Sequence, residues 1–236
     1  MEKKVAIITG ASRGVGRATA GKLAGAEMMV YLAARNKRDL DQAVAEISND
    51  GGDALAISTD VTKADSVQNL VDQIIRQSGR IDLLVNNAGM GIFESVVDSD
   101  PDDWQSVIQS NLTSTYLCAK AVLPTMLSQK SGQIINILSV AAQTSFPFAS
   151  AYCAAKAGAL ALSNVLREEV RTEGIRVTAV LPGSIKSSFW DRITQHPDFD
   201  LMLKPNHLAD TILQLAQSPV DMTVESVTVT PPLGIL

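Results

Sequence analysis

Tyr152 and Lys156 stand four positions apart in SAYCAAKAG, residues 150–158, a stretch otherwise made almost wholly of small residues. On a helix, positions i and i+4 lie one above the other, so both side chains project from one face. A tyrosine alone, with a pKa of about 10, is a poor acid or base at neutral pH; a neighbouring ammonium favours the phenolate and lowers that pKa. The spacing predicts a proton-transfer pair. YxxxK also occurs on many helix surfaces, so its meaning depends on the surroundings. Those surroundings are polar in the right places: Ser139 follows the apolar run QIINIL, NNAG at 86–89 follows another, and Asn111 sits in SNLTSTY.

A second chemical feature is TGASRGVG, Thr9 to Gly16, immediately after the apolar run VAIIT and before a helical pattern starting near Val15 or Arg17. Glycines here let the backbone approach a pyrophosphate, whose charge is favoured by the free N–H groups and positive dipole end of a helix. The spacing is not GxGxxG, and the Gly-Lys-Ser/Thr ending of a Walker A loop is missing, which disfavours ATP or GTP hydrolysis. An NAD site places an acidic residue about 20 residues beyond the glycines to accept from the ribose 2′-OH. This chain has Ala34 followed by Arg35 there, and Arg13 inside the loop. Two guanidiniums suit a 2′-phosphate, so NADP(H) is expected in preference to NAD(H).

Positioning these groups requires elements, and the chain supplies them in alternation. Apolar β-rich runs occur at 5–9, 29–34, 54–59, 83–87, 133–138, 176–181 and 226–230, with helical patterns between them. Several runs are apolar without alternation, as in strands covered on both faces. The expected fold is α/β: a Rossmann-type, doubly wound sheet of about seven mostly parallel strands with helices on both faces. No repeat or linker divides the chain, so 1–236 reads as one NAD(P)-binding domain. The irregular stretch 184–206, rich in aromatics and prolines, is expected to form a short substrate lid.

Composition narrows the partners. With 46% hydrophobic residues in 236, the chain can bury a core without metal or disulfide staples. Its 20 basic and 25 acidic residues include no basic block, which argues against nucleic acid. Cys118 and Cys153 belong to no metal or CxxC spacing and read as packing residues; His196 and His207 read as surface residues, and no metal site is expected. No apolar run reaches the roughly 18 residues of a membrane span. A cytoplasmic location is expected.

Taken together, TGASRGVG, Asp60 in TDV, NNAG, Asn111, Ser139, Tyr152 with Lys156, and PGSIKS at 182–187 strongly resemble the short-chain dehydrogenase/reductase family, in order and over essentially the whole chain. The resemblance implies that Tyr152 exchanges a proton with the substrate oxygen and Ser139 holds that oxygen. It implies that Lys156 binds the nicotinamide ribose and depresses the tyrosine pKa, and that Asn111 supports a water relay to that lysine. It further places Gly10, Ser12, Gly14, Val15 and Gly16 around the phosphates and Asp60 and Val61 at the adenine. Asn87, Ala88 and Gly89 would lie beneath adenosine and ribose, and Pro182, Gly183, Ile185 and Ser187 against nicotinamide and phosphate.

The activity implied is NADPH-dependent reduction of a ketone or aldehyde to an alcohol, reversibly, on a small and hydrophobic substrate. Met90, Ile92, Phe146, Phe148, Phe189, Trp190, Ile193, Phe199 and Met202 are the expected apolar lining. Alternatives are 3-oxoacyl-(acyl-carrier-protein) reduction, a non-catalytic NADP(H) sensor on the same fold, and an NAD-dependent alcohol dehydrogenase. Three departures from the family pattern stand out: Ser187 replaces the usual threonine, Glu27 stands where a glycine ends the first helix with Gly25 expected to serve instead, and VTVTPPLGIL lacks a Gly-Gly ending. The last favours a homodimer, through helices near 102–127 and 152–172, over a homotetramer.

Overall fold

A computed structural model describes residues 3–193 and 198–234 of the chain. Seven parallel strands, β1 (Val5–Thr9), β2 (Met29–Ala34), β3 (Asp53–Ser58), β4 (Leu83–Asn86), β5 (Gly132–Ile137), β6 (Ile175–Pro182) and β7 (Ser226–Val229), form one sheet in the order β3-β2-β1-β4-β5-β6-β7. The helices are α1 (Gly14–Gly25), α2 (Lys37–Asn49), α3 (Ala64–Ser78), α4 (Pro101–Ile108), α5 (Ser114–Gln129), α6 (Ser150–Val170) and α7 (Pro205–Ala216). The expected doubly wound Rossmann-type sheet is what forms, and every strand pair in it is parallel.

Sequence explains the layering. The central strands β1, β4 and β5 are buried at every position, whereas edge strands β3 and β7 alternate with exposed residues. A strand covered by helices on both faces has no solvent side on which a polar residue is favoured. Along β1, Ala6 and Ile8 join the cluster that packs Leu23 of α1, Leu40 of α2 and Leu208 of α7. Val5 and Ile7 point the other way, into the cluster of Leu70 of α3, Val122 of α5 and Leu166 of α6. No helix of the described residues is long and apolar enough to cross a membrane.

Two local features differ from expectation. Gly25 is the last residue of α1 and does not terminate it; Glu27 does, at φ 61°. The Glu27 N–H donates to Ala24 O at 3.0 Å and the Met28 N–H to Leu23 O at 3.2 Å, a Schellman closure whose left-handed position holds a glutamate. The helix predicted from about residue 102 is broken: α4 passes into a π-helical turn, Gln109–Thr113, before α5 begins. Single π turns inside helices recur at functional sites because they displace a side chain from the regular ladder. The residue displaced here is Asn111.

Candidate active site

All the strands point their carboxyl ends to one side, and there the β1–α1 and β4–α4 loops meet. Thr9 locks them together. Its hydroxyl accepts from the N–H groups of Asn87 and Ala88, both at 3.0 Å, while Asn87 Nδ2 donates to Thr9 O at 2.9 Å and Gly10 O at 3.2 Å. Gly10 turns at φ 66°, and a Cβ on it would stand 2.9 Å from Ala88 Cα; one on Gly16 would stand 2.4 Å from Gly10 O. Both positions therefore exclude a side chain. Gly16 serves this helix–loop contact and is not among the residues that line the cleft. At Arg13, where α1 begins, no side chain caps the helix, which leaves first-turn N–H groups available for an anion.

The loops and strand ends enclose a cleft of about 1150 Å³. At one end it is lined by Gly10, Ser12, Arg13, Gly14, Val15 and Arg35, with Asp60 and Val61 beside them. Asn87, Ala88 and Gly89 line its middle with Pro182, Gly183, Ile185 and Ser187, and Asn111, Ser139, Tyr152 and Lys156 line the reacting region. These residues are far apart in sequence, and the fold gathers them along one continuous surface. The side chains of Arg13 and Arg35 make no hydrogen bond or salt bridge among the described residues. Asp60 is held below its ordinary carboxylate pKa by the Thr62 hydroxyl, against burial, with help from the Thr62 N–H and the charges of Lys63 and Arg35. Asp39 also lines this end, but its carboxylate accepts from Asn36 Nδ2 at 2.8 Å inside the cap of α2.

At the reacting region, Asn111 is buried with one atom unused. Its Nδ2 donates to Met90 O at 2.7 Å and Val107 O at 2.9 Å, which fixes the amide's orientation, and its Oδ1 has no partner. The Cβ position of Gly89 falls 2.5 Å from that Oδ1 and 3.8 Å from Lys156 Nζ, so the acceptor and the ammonium flank one spot. A buried orphan acceptor beside a cation suits a bridging water. Lys156 Nζ donates to Ile137 O at 3.0 Å.

The tyrosine differs from expectation in its proton affinity. Burial pushes the Tyr152 hydroxyl up to about 12, opposed by Ser139 and reinforced by Cys153. Burial also pushes Lys156 down to about 8. Desolvation disfavours both charged forms, and it is the largest influence on each. The chain's own atoms thus hold Tyr152 as a neutral hydroxyl, a proton donor.

Around Tyr152 stand three aromatic rings. Phe93 and Phe189 lie 5.8 and 5.5 Å from it between centroids, and Trp190 lies 6.4 Å from Phe93 at 19° between planes. Of the expected apolar lining, Met90, Phe146, Phe148, Phe189 and Trp190 face the cleft. Ile92, Ile193, Phe199 and Met202 do not line it; Ile193 and Met202 are buried in packing instead. Sequence reasoning passed over Phe93, Gln105 and Gln109, which all line it. The readable signal for Phe93 was an aromatic placed just after two glycines, Gly89 and Gly91. Of the two histidines, His207 is exposed and its Nδ1 accepts from Lys204 N at 3.3 Å at the start of α7; His196 lies outside the described residues.

Residues 4–198 match the family model described as short chain dehydrogenase. The chain belongs to the short-chain dehydrogenase/reductases. It is 40% identical over 222 residues to a 3-oxoacyl-(acyl-carrier-protein) reductase of Synechocystis, covering 92% of this chain and 90% of that one. An uncharacterized oxidoreductase of Staphylococcus aureus is 32% identical over 228 residues, 97% of each chain. Among solved structures, a metagenomic short-chain oxidoreductase in complex with NADP superposes with a TM-score of 0.88 at 33% identity, covering 98% of both chains. This chain is therefore an oxidoreductase acting between CH–OH and C=O groups of small molecules, with a fold that binds NAD(P).

Proposed function

We propose that the protein is an NADPH-dependent reductase of a hydrophobic ketone or aldehyde, with Tyr152 as the proton donor. The observation that carries this reading is the convergence on one cleft of the glycine loop and of Asn111, Ser139, Tyr152 and Lys156, with the tyrosine held neutral. The nicotinamide cofactor, when bound, supplies hydride to the carbonyl carbon. The chain's residues do the rest. Ser139 hydrogen-bonds the carbonyl oxygen and orients it toward Tyr152, whose proton passes to that oxygen as negative charge develops there. Lys156 binds ribose hydroxyls and stays cationic below about pH 8, and Asn111 Oδ1 accepts from the water through which the proton is replaced. Reversal gives alcohol oxidation by the same groups.

Support for NADPH over NADH comes from Arg13 and Arg35, two unpaired guanidiniums at the far end of the cleft from Tyr152. Asp39 is the nearest competing acid, and its engagement with Asn36 favours the arginine reading. Phe189 and Trp190, on the 3₁₀ turn Ser188–Arg192, support a substrate lid over 184–206; Trp190 Nε1 donates to Ile185 O at 2.9 Å, and Leu203 N to Ser184 O at 3.0 Å. Exposed apolar residues on the two interface candidates, Tyr116 and Leu127 on α5 and Val165 on α6, support a homodimer. The Synechocystis relative favours a second reading, reduction of a 3-oxoacyl thioester.

The test is NADPH oxidation against a panel of ketones, diketones, quinones and acetoacetyl thioesters, with Tyr152→Phe as control. Turnover lost about a hundredfold or more in Tyr152→Phe is the expected result. Full activity in that variant, or no turnover of any carbonyl by protein that binds NADPH, would overturn the reading. Arg35→Asp is expected to reverse the NADPH preference, and an unchanged ratio of the two cofactors' dissociation constants would remove Arg35 from that role.

A further inference from the structure

The substrate end of the cleft has two unlike walls. One is aromatic, built by Phe93 and Phe189 against Tyr152. The other is the face of α4 and its π turn, where Gln105 and Gln109 line the cleft. These two are four positions apart, hence on one helix face, and neither amide hydrogen-bonds any group among the described residues. An amide offers both donors and an acceptor, so a pair of them reads a neutral polar group of either kind.

Charge at this end is distributed to a purpose. The charged residues lining the cleft are Arg13, Arg35, Asp39 and Asp60 at the far end and Lys156 at the reacting centre; none lines the substrate end among the described residues. Asp102, which does not line the cleft, stands three and four positions before Gln105 and Ser106, hence on the same helix face, exposed and without a cation on its own element. Between Arg80 and Lys120 the sequence contains six carboxylates and no basic residue. An anion entering beside α4 meets the Asp102 carboxylate and finds no cation on that helix.

We propose that the substrate is a flat, apolar carbonyl compound carrying an uncharged hydrogen-bonding group at its distal end, which Gln105 and Gln109 read, and that anionic analogues are rejected there. This rests on the carbonyl-reductase reading of the same site. Atoms nearest the carbonyl lie against the rings, where offset or edge contacts favour a planar body.

Three ketones test it: the near-isosteres 4-acetylbenzamide and 4-acetylbenzoate, and acetophenone as the unsubstituted reference. Each is measured for NADPH-dependent kcat/KM and, separately, for equilibrium binding to the NADPH-loaded protein by calorimetry. The expected order is amide above carboxylate by about tenfold or more in both measurements. The Gln105→Leu/Gln109→Leu variant should lose three- to tenfold on the amide, the worth of one or two hydrogen bonds, with acetophenone changed less than twofold. Asp102→Asn should narrow the gap between amide and carboxylate. Carboxylate bound as tightly as amide, or an amide-to-acetophenone ratio unmoved by the double variant, would overturn the proposal. Failure of the reductase reading is a different result: no turnover of any ketone, while the binding ratios still decide whether this end selects neutral ligands.

Discussion

Lys156 donates to the backbone carbonyl of Ile137 at 3.0 Å while its Nζ stands 5.5 Å from the centre of the Tyr152 ring. The lysine is buried, and its pKa falls from 10.5 to about 8 on that account. In the unfolded chain the same lysine keeps its proton up to 10.5, so between pH 8 and 10.5 the unfolded state binds more protons and stability rises with pH. Tyr152 opposes this above pH 10, because its folded pKa of about 12 favours the neutral form only while the unfolded tyrosine stays protonated. The clean window is pH 8 to 10. Denaturation of wild type and Lys156→Met across it should show wild type gaining on the order of 1–3 kcal/mol relative to the variant. A constant difference between the two would mean that the lysine is not desolvated as its burial implies.

The sheet was legible because its signal is local. Seven apolar runs separated by helix-length segments determine a parallel doubly wound fold almost by themselves, and strand ends shifted by only a residue or so. The motif residues were legible for a related reason: Thr9 to Gly16, Asn86 to Gly89 and Ser139 sit at strand ends or the first turns after them, and Tyr152 sits in the first turn of α6. What sequence did not disclose depends on packing. Whether Phe199 or Phe93 faces the cleft turns on loop paths that no periodicity fixes, and the close packing of Gly16 against the Gly10 carbonyl is likewise a matter of tertiary contact. For Tyr152 and Lys156, spacing shows the neighbouring charge but not the depth of burial, which pushes the hydroxyl up and the ammonium down.

Glu27 occupies a left-handed position that glycine fills without steric cost. A non-glycine residue there carries a penalty of about 1 kcal/mol, from Cβ against the following carbonyl. Glu27 is exposed, and its role in the Schellman closure is made by its backbone alone. Glu27→Gly should therefore stabilise the protein by about 1 kcal/mol in urea or thermal unfolding, with kcat and KM unchanged. Glu27→Ala is the control. An equal gain from alanine would trace the effect to the carboxylate's charge and not to its backbone.

Thr9 is buried, and its single hydroxyl serves two backbone N–H groups of the β4–α4 loop. Valine matches its shape but leaves both donors without a partner, at a cost of about 2 kcal/mol or more. Thr9→Val should lower stability by that amount and raise the dissociation constant for NADPH, because the glycine loop is no longer tied to Asn87 and Ala88. Thr9→Ser keeps the acceptor and should restore most of the affinity. Binding measured by calorimetry separates the two, and equal weakening in both variants would show that the methyl group, not the hydroxyl, matters.

Gly91 leaves the space that two of the rings around Tyr152 occupy. A Cβ there would stand 2.6 Å from Phe93 Cε2 and 2.7 Å from Phe189 Cζ, closer than real contacts permit. Both atoms belong to side chains, so Gly91→Ala displaces the rings by somewhat under an ångström and leaves the backbone in place. Fold stability should change by less than about 1 kcal/mol, as for other substitutions whose strain a side chain can relieve. The substrate wall, however, moves relative to the Tyr152 hydroxyl, and small misplacements of reacting groups are costly. The expected result is about a tenfold fall in kcat/KM for the carbonyl substrate with NADPH affinity unchanged. Adding Phe93→Leu, which gives the new methyl room, should recover part of the loss. Unaltered kcat/KM in Gly91→Ala would show that these rings do not position the substrate.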